Sequence, residues 1–277
     1  MRVITVTNRK GGVGKSTFAA HVAAGLAIRG YRVGMVDTDS QGHLSMMFGI
    51  EPTNSLYDVM IDKESLEDHV LVLSADKYTT PDNPPQGALY LLSAYDRTYK
   101  IPHELEETDA FVGCNLMADF GQLADLDYII VDSQPSMTKL DGAIYMATDG
   151  FLFVTELETL AMRGLKDAVQ QVEKFSAQRD RWLGLPTEII GIVPNKMRAR
   201  TVVHQENISE LATTYGRFKD GGWVLPPCRL LTVWSQSSDM REPIFKYRPT
   251  GEAASDAWTV VDAVEARLAV WAVNDGR

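Results

Sequence analysis

Between Asn8 and Thr17 the chain reads Asn-Arg-Lys-Gly-Gly-Val-Gly-Lys-Ser-Thr, and these residue types in this order suit one task, the cradling of a polyphosphate. Gly11, Gly12 and Gly14, with Val13 among them, let main-chain N–H groups approach anionic oxygens with no Cβ in the way. Lys15 can neutralise the outermost phosphates, and the Ser16 hydroxyl can ligate Mg²⁺. Thr17 follows in the first turn of a helix whose N-terminus adds partial positive charge.

The general pattern for such a loop asks for glycine five residues before Gly14, where this chain has Arg9. Beside it stands a second lysine. Lys15 can serve the phosphates held by its own loop. Lys10 sits too early in the turn for that and is free to reach a phosphate held elsewhere.

Three more apolar runs end in residues able to do chemistry. Val36-Asp37-Thr38-Asp39 places two carboxylates at i and i+2 where a strand stops. One can hold a Mg²⁺-bound water and the other can orient a water for in-line attack, although an acidic turn after a strand reads the same way. Tyr128-Ile-Ile-Val-Asp132 is an apolar strand ending in a carboxylate, the arrangement in which Asp132 ligates Mg²⁺ together with Ser16. Ile190-Gly-Ile-Val-Pro-Asn195-Lys196 ends in an amide that offers both donor and acceptor to an adenine edge. Alone, Asn195 reads as a turn residue.

These ends must be carried by a sheet. Strands are expected near 2–7, 32–37, 88–93, 127–132, 149–155 and 188–194. Helices are expected near 15–29, 54–60, 115–124, 138–147, 158–180, 204–215 and 252–272. Such alternation predicts an α/β fold, a twisted, mostly parallel β-sheet flanked by α-helices on both faces. Ser74 to Gly87, with three prolines, reads as a surface loop. No linker or internal repeat divides the chain, so one domain over residues 1–277 is expected.

The 277 residues are 45% hydrophobic and 23% charged, enough for one full α/β core. No apolar stretch is long enough to span a bilayer, and the N-terminal segment lacks the apolar run of a secretion signal. Two cysteines far apart argue against a disulfide scaffold, a zinc site or an iron–sulfur cluster, and fit a reducing cytoplasm. The net charge of −10 opposes bulk attraction to nucleic acid, but residues 163–248 hold 14 Lys+Arg against 9 Asp+Glu. A phosphate backbone responds to the local field, so a basic face is admissible on an acidic protein.

Together the four motifs resemble those of the ParA/Soj partition ATPases, the deviant Walker A branch of the SIMIBI-class P-loop proteins, over nearly the whole chain. The resemblance identifies Lys10 as the signature lysine, which in that family crosses a sandwich homodimer to the partner's ATP. Asp37-x-Asp39-x-Gln41-Gly42 is similar to the family's Asp-x-Asp-Pro-Gln-Gly, with Ser40 in place of proline, and implies that Asp39 positions the attacking water. Asp132-x-x-Pro135 matches the Walker B element and Asn195-Lys196 the adenine-contacting element. Residues 223–250, with Pro226, resemble the purine loop and the segment after it. The implied catalytic residues are Lys10, Lys15 and Asp39; the implied Mg²⁺ ligands are Ser16, Asp37 and Asp132.

The resemblance also implies an ATP-bound dimer that binds double-stranded DNA without sequence preference, in the cytoplasm and on the nucleoid. A ParB-like, centromere-binding or adaptor partner would trigger hydrolysis and release. Arg198, Arg200, Arg229, Arg241, Lys246 and Arg248 fall within the basic stretch and are the candidate DNA contacts. The competing reading is a solvated surface with these cations paired to Glu206, Glu210, Asp239 and Glu242. With no segment ahead of the first strand, operator binding by a helix-turn-helix is not expected.

Other assignments fit less well. A MinD-like membrane-positioning ATPase needs a terminal amphipathic helix with a basic face, whereas residues 252–277 carry only Arg267 and Arg277 and read as a helix docked on the core. A ParA-like protein positioning a protein cargo stays open. A nitrogenase-reductase-like protein is opposed by the cysteines, and no motif announces the acceptor pocket of a metabolic P-loop enzyme. Residues 61–112 depart most from the family and are the candidate partner surface.

Overall fold

The structure, a computed structural model, describes residues 1–105 and 111–274. Residues 106–110 of the candidate partner surface, and Arg277 with its two predecessors in the expected domain, lie outside the described residues. Seven strands, β1 (Arg2–Thr7), β2 (Arg32–Asp37), β3 (Val70–Leu73), β4 (Ala88–Leu92), β5 (Tyr128–Asp132), β6 (Gly150–Glu156) and β7 (Glu188–Asn195), form one sheet in the order β3-β4-β2-β5-β1-β6-β7. Every pairing is parallel except β3 with β4. The central strands are buried almost throughout, as their unbroken Val/Ile/Leu character requires of a sheet covered on both faces.

The helices are α1 (Lys15–Ile28), α2 (His43–Met46), α3 (Ser55–Met60), α4 (Leu66–His69), α5 (Ile101–Glu104), α6 (Val112–Leu123), α7 (Lys139–Ala147), α8 (Thr159–Leu183), α9 (Val202–Tyr215), α10 (Thr232–Asp239), α11 (Ile244–Tyr247) and α12 (Glu252–Asn274). One core lies on the sheet face covered by α1 and α12, with Ile4, Leu26, Val33, Val260 and Val264. The other lies under α6, α7 and α8, with Ile129, Phe120, Phe151 and Leu165. α1 is apolar on nearly all sides because it is enclosed between sheet and α12. The two helices approach so closely that a Cβ on Gly25 would lie 2.5 Å from Val261.

The expected parallel sheet with helices on both faces is what the chain forms. β3 was not expected. Its four residues are too few for a periodic signal, and it joins the edge antiparallel to β4. The expected loop from Ser74 to Gly87 contains a short 3-10 turn at Ala75–Lys77 and anchors itself by burying Tyr78. α2, α10 and α11 escaped the sequence pattern for the same reason of length.

Parallel pairing sets the register that matters for function. Val6 lies beside Asp132, Asp37 beside Asp132, and Glu156 beside Asn195. All the strand ends singled out in the sequence therefore meet at the carboxyl edge of one sheet, the edge where doubly wound folds bind ligands.

Candidate functional site

The loop between β1 and α1 is shaped by backbone conformations that only glycine adopts cheaply. Gly14 has φ 105°, and a Cβ there would stand 2.6 Å from the Asn195 amide nitrogen. Gly12 is also left-handed, at φ 74°, and faces open space, leaving room for a ligand against the backbone. Gly14 caps α1 without a side-chain hydrogen bond, so the orphan N–H groups of the first turn remain available to an anion. Asn8 fixes the start of the loop, donating to the Val154 carbonyl at 2.6 Å and accepting from the Lys10 N–H at 3.0 Å.

Lys15 is buried, and burial pulls its pKa down against the opposing pull of Asp132, Asp39 and Asp141. A desolvated ammonium of this kind gains most when a phosphate arrives. Asp37 is fully buried and accepts from the Asp39 and Leu44 N–H groups at 2.9 and 3.2 Å. Asp132 is equally buried, but neither of its oxygens has a hydrogen-bond partner. Burial raises the Asp132 pKa to about 7, opposed by the Ser16 hydroxyl and the Lys15 ammonium. The Asp37 pKa is raised well above its ordinary value, first by burial and then by Asp132.

An unpaired buried carboxylate beside a serine hydroxyl is the donor set expected for a hard divalent cation. Mg²⁺ takes one or two carboxylates and draws its other ligands from water and phosphate. Among the described residues, no group of three or more His, Cys, Asp or Glu could hold a metal unaided. Asp39 is half-buried, and its carboxylate accepts from the Gln41 N–H at 3.1 Å.

Two cavities meet over the loop. The first, of 630 Å³, is lined by Gly11, Lys15, Ser16, Asp39, Pro135 and Arg241 among others. The second, of 540 Å³, is lined by Phe18, Asn195, Lys196, Leu231 and Trp234. Gly12, Gly14, Thr17 and Ser238 border both. The result is one groove with a polar half over the phosphate loop and a more apolar half beside Asn195.

Lys10 does not border either half. Its ammonium donates to Glu156 at 2.6 Å and to Glu158 at 3.4 Å. Glu156 also accepts from Lys196 at 2.7 Å, and Lys196 reaches the Gly12 carbonyl at 2.7 Å. The two lysines hold the Glu156 pKa down against its burial. The Asn195 amide donates to the Val13 carbonyl at 2.8 Å, so in this structure Asn195 braces the loop while bordering the apolar half. Sequence reasoning missed Glu156, although its place at the end of β6 was a usable signal. It also missed Trp234, for which the sequence held none.

The remaining candidates are scattered. Pro226 is exposed and lines a separate cavity of 480 Å³ with Phe218 and Thr259, away from the groove. Arg229 is bound to Asp256 at 2.6 Å and to Glu252, Arg241 to Glu51 at 2.5 Å, and Lys246 to Glu242 at 2.8 Å. Only Lys246 thus has a partner from the expected set. Arg198, Arg200 and Arg248 are exposed, with no ion pair to another described residue. The six cations therefore do not share one free surface, because three are tied to local carboxylates.

Comparison with known proteins agrees with this geometry. A family model described as an AAA domain matches residues 1–184. An uncharacterized protein of Mycobacterium tuberculosis is 30% identical over 78% of this chain, and the chain spans 64% of that relative's length. The sporulation initiation inhibitor protein Soj of Bacillus subtilis is 27% identical over 91% of this chain and 94% of its own. Among solved structures, an ATP complex of a McdA variant from Cyanothece superposes with a TM-score of 0.74 at 18% identity, covering 96% of each chain. That likeness is one of fold.

Proposed function

The chain belongs to the ParA-type partition ATPases of the P-loop fold, and from that premise we propose that it is an ATP-driven switch that binds DNA as a dimer. ATP lies along the groove, with its phosphates over residues 11–17 and its base in the apolar half beside Asn195. Two protomers close face to face, Lys10 of each reaching the other's triphosphate. The dimer holds duplex DNA without sequence preference and lets go after hydrolysis stimulated by a partner. The observation that carries this reading is the position of Lys10. It stands outside the phosphate cavity of its own loop, on Glu156 at the rim, while Lys15 occupies the floor.

Ser16, Asp132 and Asp37 are the residues that would hold Mg²⁺, which when bound neutralises triphosphate charge. Lys15 binds the phosphates directly, and Asp39 orients the attacking water from the end of β2. Turnover by the isolated protein is slow, because Lys10 is engaged in its own subunit until a second copy arrives. Arg198, Arg200 and Arg248 are the free cations that would meet the DNA backbone. Dimerisation doubles the phosphate contacts and couples DNA affinity to ATP. α12 supports the nucleic-acid reading over the membrane one, since it turns Ala257, Val260 and Val264 into the core. Among the described residues no helix is long and apolar enough to cross a membrane.

The test is a mobility shift on random-sequence duplex with a non-hydrolysable ATP analogue, with ADP and with no nucleotide. Retardation is expected with the analogue alone and is lost in Arg200→Glu. Equal retardation in all three conditions, or none in any, refutes the switch.

A further inference from the structure

Arg241 lies in the phosphate half of the groove. It borders the 630 Å³ cavity together with Lys15, Ser16, Asp39 and Pro135, and it does not border the apolar half. Lys15 and Arg241 are the two permanently cationic side chains on that lining, facing the carboxylates of Asp39 and Asp239 and the ring of His43. A triphosphate brings more negative charge than Lys15 offsets, and Arg241 supplies a second cation at the end of the cavity farther from the base.

Two features mark this arginine as more than a surface charge. Its φ is 54°, a left-handed conformation that a long side chain holds only at steric cost and that is kept mainly where a ligand-binding segment needs it. Its guanidinium rests on Glu51 at 2.5 Å. The two side chains are 46% and 80% exposed, so the pair is solvent-screened and readily exchanged for a stronger anion.

We propose that Arg241 reads the terminal phosphate of the nucleotide in its own subunit. The guanidinium leaves Glu51 and grips the γ-phosphate in the forked geometry that suits arginine. The segment after α10 then registers whether the nucleotide is a triphosphate or a diphosphate. This rests on the nucleotide-switch reading and adds a residue to it.

Calorimetric titration of the full chain with a non-hydrolysable ATP analogue and with ADP tests it. Arg241→Gly is the informative variant, because glycine accepts the left-handed backbone and the fold is expected to survive. Arg241→Gly should weaken the analogue roughly tenfold and leave ADP within about twofold, and Arg241→Lys should recover part of the loss. Equal losses for the two nucleotides, or no loss, overturn the assignment. So does a loss of DNA binding with triphosphate affinity intact. Should Arg241→Gly fail to fold, Arg241→Gln carries the same comparison. A wild-type protein that binds neither nucleotide overturns the switch reading itself, and the role of Arg241 with it.

Discussion

Asp132→Asn should stabilise the nucleotide-free protein at about pH 8 and leave it no more stable at about pH 4. The wild-type carboxyl is enclosed with both oxygens unpaired, and its pKa is raised from 3.8 to about 7. A raised folded-state pKa favours the protonated fold, so the stabilisation is complete below pH 3.8 and is lost as the pH climbs through about 7. At about 1.4 kcal/mol per pH unit, the loss at pH 8 approaches roughly 4 kcal/mol. Asparagine removes the titration but leaves an unpaired buried amide costing about 1–3 kcal/mol. The net gain at pH 8 is therefore about 1–3 kcal/mol, several degrees in Tm. Asp37 titrates with Asp132 as a pair, and its own ionisation is eased once its neighbour is neutral. Urea unfolding of both proteins at a series of pH values, without nucleotide, gives the difference curve directly. ATP and Mg²⁺ should then stabilise the wild type and not the variant. A difference between the two proteins that stays constant from pH 4 to pH 8 would refute the reasoning, since it would mean the carboxyl is not strained by ionisation.

Three further outcomes follow from the packing and the ion pairs. His21 is fully buried and held near a pKa of 4 by desolvation; a depressed histidine costs stability as the pH falls from 6.5 toward 4, roughly 3 kcal/mol in all, and unfolding of His21→Gln should show that acid loss removed. Gly25→Ala drives a methyl toward Val261 at 2.5 Å and should cost about 1–3 kcal/mol in urea unfolding, part of it restored by Val261→Ala in the double variant. Glu156→Gln weakens the hold on Lys10 and Lys196; sedimentation should find the ATP-dependent dimer at lower protein concentration, and an unchanged threshold would show that Glu156 does not restrain the lysine.

Much of the site was legible because it is local. Gly11 through Thr17 form a contiguous loop, so spacing alone announces the cradle and the helix that closes it. Asp37 and Asp132 were legible for a related reason. Each ends an apolar strand, and strand ends of a parallel sheet must emerge on one edge, where the register sets the two side by side. Arg229 shows the limit, since nothing near it in the sequence indicates that Asp256, 27 residues on, will neutralise it.

Residue types and their spacing along the chain were thus sufficient for the fold class, the phosphate loop and the carboxylates that face it. They could not say that Asp132 would lack a partner, that Glu156 would hold Lys10, or that Arg241 would stand in the phosphate cavity while Arg198 stayed free. Those outcomes depend on which distant side chains are brought within bonding range. Such proximity is a property of the packed layers, because short-range forces act on separation in space and not on separation along the chain.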